Sequence, residues 1–167
     1  MYNDLDQIID NIYLGNLLAA KDIETLKSKG IKKILSIMDE ETPKYESSDF
    51  IHKKVNVEDY NGQNIIQYFG ECLNFMKGEE KILVHCMAGA SRSATIVIAY
   101  LMWTKKMNDT DAIKFIQKKR SAANPNKGFR DQLKKFGKLL YCKNYNIDKI
   151  DFQGFKWEPT EDILFNI

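Results

Sequence analysis

Val84-His85-Cys86-Met87-Ala88-Gly89-Ala90-Ser91-Arg92-Ser93 is the stretch on which the reading of this chain turns. It closes the short apolar run Ile82-Leu83-Val84, which suits a central parallel strand buried on both faces. It opens the segment Ser93 to Thr104, which is apolar nearly all round and therefore expected to be a buried helix. A strand–loop–helix junction is a natural anion site, because free backbone N–H groups and the positive end of the helix converge on it. Five residues, Met87, Ala88, Gly89, Ala90 and Ser91, separate Cys86 from Arg92. That is enough chain to wrap around a tetrahedral phosphate and offer it backbone donors. Gly89 sits mid-loop, where the missing Cβ permits close backbone approach and unusual dihedrals.

In such a loop Cys86 is expected to ionise near neutral pH, since helix N-termini and neighbouring cations favour the thiolate. A thiolate can attack phosphorus in line and form a phosphocysteine. Arg92, with its planar paired donors, can hold two phosphate oxygens. Ser93 can donate a hydrogen bond to the thiolate as it departs. His85 is expected to bond to backbone and position the loop rather than to shuttle protons. The competing reading is a buried structural cysteine at a strand end. A Cys-x5-Arg spacing alone leaves that reading standing; the preceding His, the central Gly and the following Ser weaken it.

Outward from this loop the chain alternates in the manner of α/β proteins. Ile12 to Gly15 reads as a first strand, and Asn16 can cap a helix carrying Leu17, Ile23 and Leu26 up to a stop at Gly30. Ile31 to Ile37 and Ile51 to Val57 are strand candidates, with the polar loop Met38 to Ser48 between them. Ile66, Phe69, Leu73 and Met76 share one helical face. Asn108 or Thr110 can cap a helix running to Arg120. There the basic run Lys118-Lys119-Arg120 reads as a favourable charge at a helix C-terminus. Phe129, Leu133, Phe136 and Leu140 mark a last amphipathic helix. Residues 1–142 are read as one catalytic domain. Residues 143–167, with Phe152, Phe155, Trp157, Ile163 and Leu164, are too apolar for a free tail and are expected to pack on it.

Composition bounds the partners. The chain has 167 residues, 44% hydrophobic and 29% charged, with a net charge of +2. That balance fits a soluble globular protein, and interleaved basic and acidic residues give no expectation of a nucleic-acid partner. Three widely spaced cysteines and two histidines make a zinc site improbable and suit a reducing compartment, cytoplasmic or nuclear. No apolar stretch approaches the ~20 residues of a membrane span, and the first residues lack the pattern of a signal peptide. No membrane association is expected.

His85-Cys86-x5-Arg92-Ser93 is the signature of the protein tyrosine phosphatase superfamily, and Leu83 through Met102 resembles the dual-specificity phosphatases in particular. The resemblance runs from Ile8-Ile9-Asp10-Asn11-Ile12-Tyr13-Leu14-Gly15 to Asn124-Pro125-Asn126 and the helix after Phe129. It implies a mixed, mostly parallel sheet flanked by helices and hydrolysis of phosphate monoesters without metal or other cofactor. Val55-Asn56-Val57-Glu58-Asp59-Tyr60 resembles the family's general-acid loop, with Asp59 in the acid's place, Glu58 as competitor, and two solvated loop charges as the bland reading. Asn126 resembles the family's brace for the phosphate loop; it equally suits an N-cap for the last helix. The brevity of the chain resembles the small, atypical members, whose shallow pocket accepts phosphotyrosine and phosphoserine or phosphothreonine. Relatives that act on phosphoinositides commonly carry lysines in the loop. Met87 to Ser91 contain none, so phosphorylated proteins are the expected partners. The alternative is a catalytically weak relative that binds phosphoproteins.

Overall fold

The computed structural model describes residues 3–159. Five strands, β1 (Leu5–Ile9), β2 (Ile12–Gly15), β3 (Ile31–Ile37), β4 (Ile51–Val55) and β5 (Lys81–His85), form one sheet in the order β1-β2-β5-β3-β4. β1 runs antiparallel to β2, and β2, β5, β3 and β4 are mutually parallel. The fold is the expected mixed, mostly parallel α/β sheet. β1 was not anticipated, because Leu5-Asp6-Gln7-Ile8-Ile9 places a single fully buried side chain, Ile8, among polar and half-buried ones.

Six helices cover the sheet: α1 (Leu17–Lys21), α2 (Ile23–Ser28), α3 (Phe69–Met76), α4 (Arg92–Lys105), α5 (Asp109–Lys119) and α6 (Lys127–Cys142). The single helix expected after Asn16 is two short ones. Asp22 interrupts it, ending α1 and capping α2 through a bond from the Thr25 amide. The strand expected to reach Val57 stops at Val55, and α3 is preceded by a 3-10 turn over Ile66–Tyr68. Alternate strand residues face two cores: Ile12, Leu14, Ile82 and Val84 pack against α3 to α6, while Tyr13, Leu83 and Ile34 pack against Ala20 and Leu26 on the other face. α4 is the central helix, buried along Arg92 to Met102. None of the helices among the described residues is long and apolar enough to cross a membrane.

Beyond α6, Phe152 and Trp157 are buried and Phe155 lies half-buried against the core. Ile163 and Leu164, counted with them above, lie outside the described residues.

Candidate active site

Because β2, β5, β3 and β4 are parallel, their carboxyl ends share one edge of the sheet, the edge where α/β folds place ligands. β5 lies between β2 and β3. The loop after it therefore meets α1, the loop after β3 and the loop after β4. Each of these neighbours contributes to one constellation.

Each carbonyl of the loop from Cys86 to Ser91 is taken by a protein donor. Cys86 O receives His85 Nδ1 at 3.2 Å, Met87 O receives the Leu17 amide at 3.1 Å, and Ala88 O receives Arg120 Nη2 at 3.2 Å. Gly89 O receives Arg120 Nε at 2.8 Å, Ala90 O the Asn124 amide at 2.7 Å, and Ser91 O the Thr95 amide at 2.9 Å. In a trans peptide the N–H points opposite to the C=O. Drawing the carbonyls outward turns the amides of Met87 to Arg92 toward the inside of the loop, beside the N-terminus of α4. The result is a cradle for an anion. Gly89 holds the turn at φ 65°, and a Cβ there would sit 2.5 Å from Gly15 O. Only glycine satisfies both conditions.

Arg120 corrects the reading of the basic run. Lys118 and Lys119 fit the helix-end reading, but Arg120 is 2% exposed and turns inward beneath the loop. Besides Ala88 O and Gly89 O it reaches Asn3 O at 2.7 Å and Asp6 Oδ2 at 2.9 Å through Nη1. The sequence could not separate it from its lysine neighbours. The one available signal was that Arg120 falls where the helix ends, so its direction need not follow theirs.

Arg92, also buried, is held from the end of its guanidinium. Nη1 donates to Glu40 Oε2 at 2.8 Å, Asp39 Oδ1 at 3.0 Å and Val57 O at 3.0 Å, and Nη2 donates to Glu40 Oε1 at 3.0 Å. Nε is buried and has no hydrogen-bond partner among the described residues. The edge formed by Nε–H and the second Nη2–H thus keeps its donors, and that edge matches two oxygens of a tetrahedral anion. Burial opposes the charge on Arg92, but Glu40, the Cys86 sulfur and Asp59 outweigh it and hold its pKa above the ordinary value. The Arg92 hydrogen bond holds Glu40 down to about 2, so this carboxylate stays ionised. Asp39 and Glu40 were read only as part of a polar loop. Knowing that β3 pairs with β5 would have placed that loop beside Arg92.

Cys86 is 2% exposed, and its Sγ lies 3.0 Å from Ser93 Oγ. His85 is fully buried, and burial lowers its pKa to about 4. With Nδ1 donating to Cys86 O, a neutral His85 presents Nε2 as an acceptor, so Ser36 Oγ donates to it at 2.6 Å. Ser36 in turn accepts from His52 Nε2 at 2.8 Å, and burial and then Lys54 lower the His52 pKa as well. The chain His52–Ser36–His85 thereby fixes the tautomer of the histidine that holds the loop.

Asp59 and Asn126, far apart in sequence, meet: Asn126 Nδ2 donates to Asp59 Oδ1 at 3.0 Å. The Asn126 amide donates to Ser91 Oγ at 3.0 Å, and its Oδ1 accepts from the Phe129 amide at 2.9 Å, capping α6. One residue thus serves as cap of α6 and, through its backbone amide and its side chain, as link between the loop after β5 and the loop bearing Asp59. The Glu58 amide donates to Gln63 Oε1 at 3.0 Å. Among the expected residues, Cys86, Met87 to Ser91, Arg92, Ser93 and His85 lie on or beside the loop, and Asp59 and Asn126 border it.

The family described as dual specificity phosphatase, catalytic domain, matches residues 12–138. Dual specificity protein phosphatase 22 of Xenopus tropicalis is 38% identical over 143 residues, covering 83% of this chain and 67% of the relative. A crystal structure of DUSP15 superposes with a TM-score of 0.79 at 34% identity, covering 84% of this chain and 92% of that one. The human tyrosine phosphatase-like serine/threonine/tyrosine-interacting protein superposes with a TM-score of 0.77 at 31% identity, covering 83% and 97%.

Proposed function

Since the chain belongs to the dual specificity phosphatase catalytic-domain family, we propose that it hydrolyses phosphate monoesters on tyrosine, serine and threonine side chains of proteins through a phosphocysteine intermediate. The observation that carries this reading is the loop whose carbonyls are all drawn outward beside the unpartnered Arg92 Nε. Inward amides and the free guanidinium edge supply donors where charge gathers on the equatorial oxygens of the transition state.

In the first step Cys86 Sγ, as thiolate, attacks phosphorus while the ester P–O bond breaks. The electron pair goes to the leaving oxygen, and Asp59 delivers a proton to it. In the second step a water gives its proton to Asp59 and attacks phosphorus. The P–S bond breaks, the pair returns to sulfur, and the Ser93 hydroxyl donates to the reformed thiolate. Asn126 orients Asp59 against the loop, and Asp39 and Glu40 hold Arg92.

A protein substrate is favoured by the surroundings of the loop. Leu18, Tyr60 and Met87 are exposed large apolar side chains. Leu17, next to Leu18, bonds Met87 O, and Tyr60 follows Asp59. Such a rim suits an aromatic ring or peptide surface rather than a polyanionic headgroup.

The test is metal-free turnover of para-nitrophenyl phosphate and of phosphotyrosine and phosphothreonine peptides. Cys86→Ser should abolish it. Asp59→Asn should cut turnover of alkyl phosphates by roughly 10²-fold or more and of the activated aryl ester much less. Unaltered chain that binds phosphopeptides yet turns over none of these substrates would replace this reading with that of a phosphoprotein-binding module.

A further inference from the structure

We propose that the segment after α6, residues 147–159, is a positioning strap for the acid loop, with Trp157 as the residue through which it acts on Asp59. The inference rests on the assignment of Asp59 as general acid. Asp59 lies in the stretch from Asn56 to Ile65, which has no strand or helix of its own. Its placement therefore depends on what clamps it.

One clamp is α6, within the region matched by the family. Asn126 bonds Asp59, the Gly128 amide donates to Asn61 Oδ1 at 3.3 Å, and the buried Gln132 donates to Gln63 O at 2.9 Å. Gln132 Oε1 also accepts from the Ile65 and Ile66 amides. Gly128 is required here, because a Cβ would collide with the Asn61 backbone. The second clamp lies beyond that region, which ends at residue 138. Trp157 Nε1 donates to Asn61 O at 3.4 Å, Asn64 Nδ2 donates to Phe155 O at 3.0 Å, and Gln153 Nε2 donates to Gln67 O at 3.1 Å.

The strap is itself seated. Phe152 packs against Phe136 with ring centroids 5.9 Å apart, and Lys135 Nζ stands 4.7 Å from the centre of the buried Trp157 ring. Asn61, two residues after Asp59, is thus held between α6 and Trp157. A displacement of about 1 Å in a catalytic group can cost about 10²-fold in rate, so a clamp this near the acid bears on proton delivery. It has little bearing on Cys86 and Arg92, which the strap does not touch through any of these bonds.

The experiment uses the full chain with Trp157→Ala and Trp157→Phe, assayed on para-nitrophenyl phosphate and on phenyl or alkyl phosphate, with Asp59→Asn in parallel. A leaving group that departs unaided is indifferent to the acid; a poor one is not. Trp157→Ala should lower kcat on the poor leaving groups by about tenfold and on para-nitrophenyl phosphate by less than about twofold, in the pattern of Asp59→Asn but weaker. Trp157→Phe, which keeps the ring on Lys135 and loses the N–H, should fall between Trp157→Ala and the unaltered chain. An equal loss on all substrates, or none, overturns the strap while Asp59→Asn still reports on the acid. If Trp157→Ala does not fold, the same substrate split read from Trp157→Phe decides the matter. Should Asp59→Asn itself show no dependence on leaving group, the acid assignment fails and the strap with it.

Discussion

His85 makes the stability of this protein depend on pH in a way that can be worked from its surroundings. The ring is fully buried, donates from Nδ1 to Cys86 O and accepts at Nε2 from Ser36, whose oxygen is already the acceptor for His52. Protonating His85 would set a second N–H against Ser36 Oγ and take away the acceptor to which the Ser36 O–H donates. Burial holds its pKa at about 4 against an ordinary 6.5. A depressed histidine leaves stability complete above about pH 6.5 and erodes it as pH falls toward 4, because the unfolded chain binds the proton first. The gap corresponds to about 3 kcal/mol in full and about 2 kcal/mol by pH 5. For a chain of this size that is a fall of about 4–8 °C in Tm. The chain has only two histidines, so little else on its side chains titrates between pH 7 and 5. Urea unfolding at pH 7, 6 and 5, for the unaltered chain and for His85→Asn, reads the effect. The unaltered chain should lose stability steeply, and the variant should keep only the weaker slope due to His52. Equal slopes in the two proteins, or no loss at pH 5, would refute the account.

Arg120→Met leaves Asp6 without its partner and two loop carbonyls without donors. It should destabilise by about 3 kcal/mol and weaken vanadate binding, whereas Arg120→Lys should recover part of the stability and less of the binding. Differential scanning and vanadate titration check both. Glu40→Gln should weaken vanadate binding roughly fivefold, in keeping with a partly exposed ion pair. Because Glu40 ionises at about 2, that loss should be the same at pH 5 as at pH 8.

The loop after β5 was legible because its pattern is contiguous: Cys86, Gly89 and Arg92 fall within one short stretch of chain between a strand and a helix. Residues that hold the loop were not. Ser36, Asp39 and Glu40 reach it only because β3 lies beside β5, and sequence order does not disclose that adjacency. Arg120 carries the same charge as Lys118 and Lys119, and only the end of α5 at Lys119 turns it inward. Asn126 allowed two readings from its surroundings, a cap and a brace, and its geometry combines them. β1 was missed because an edge strand with one buried side chain leaves little periodic signal.

The brace formed by Arg120 has a consequence for the order in which the site comes into being. Synthesis proceeds from the N-terminus, so Asn3, Asp6 and Cys86 emerge before Arg120, and Arg120 before Asn126 and Trp157. A nascent chain therefore carries the thiol well before it carries the cation that shapes the loop, the amide that bonds Asp59, or the indole that bonds Asn61. Contacts of such sequence separation form late in folding. Phosphoester hydrolysis should accordingly appear only once Arg120 and Asn126 have emerged, and assays of release-stalled chains of increasing length would time its appearance.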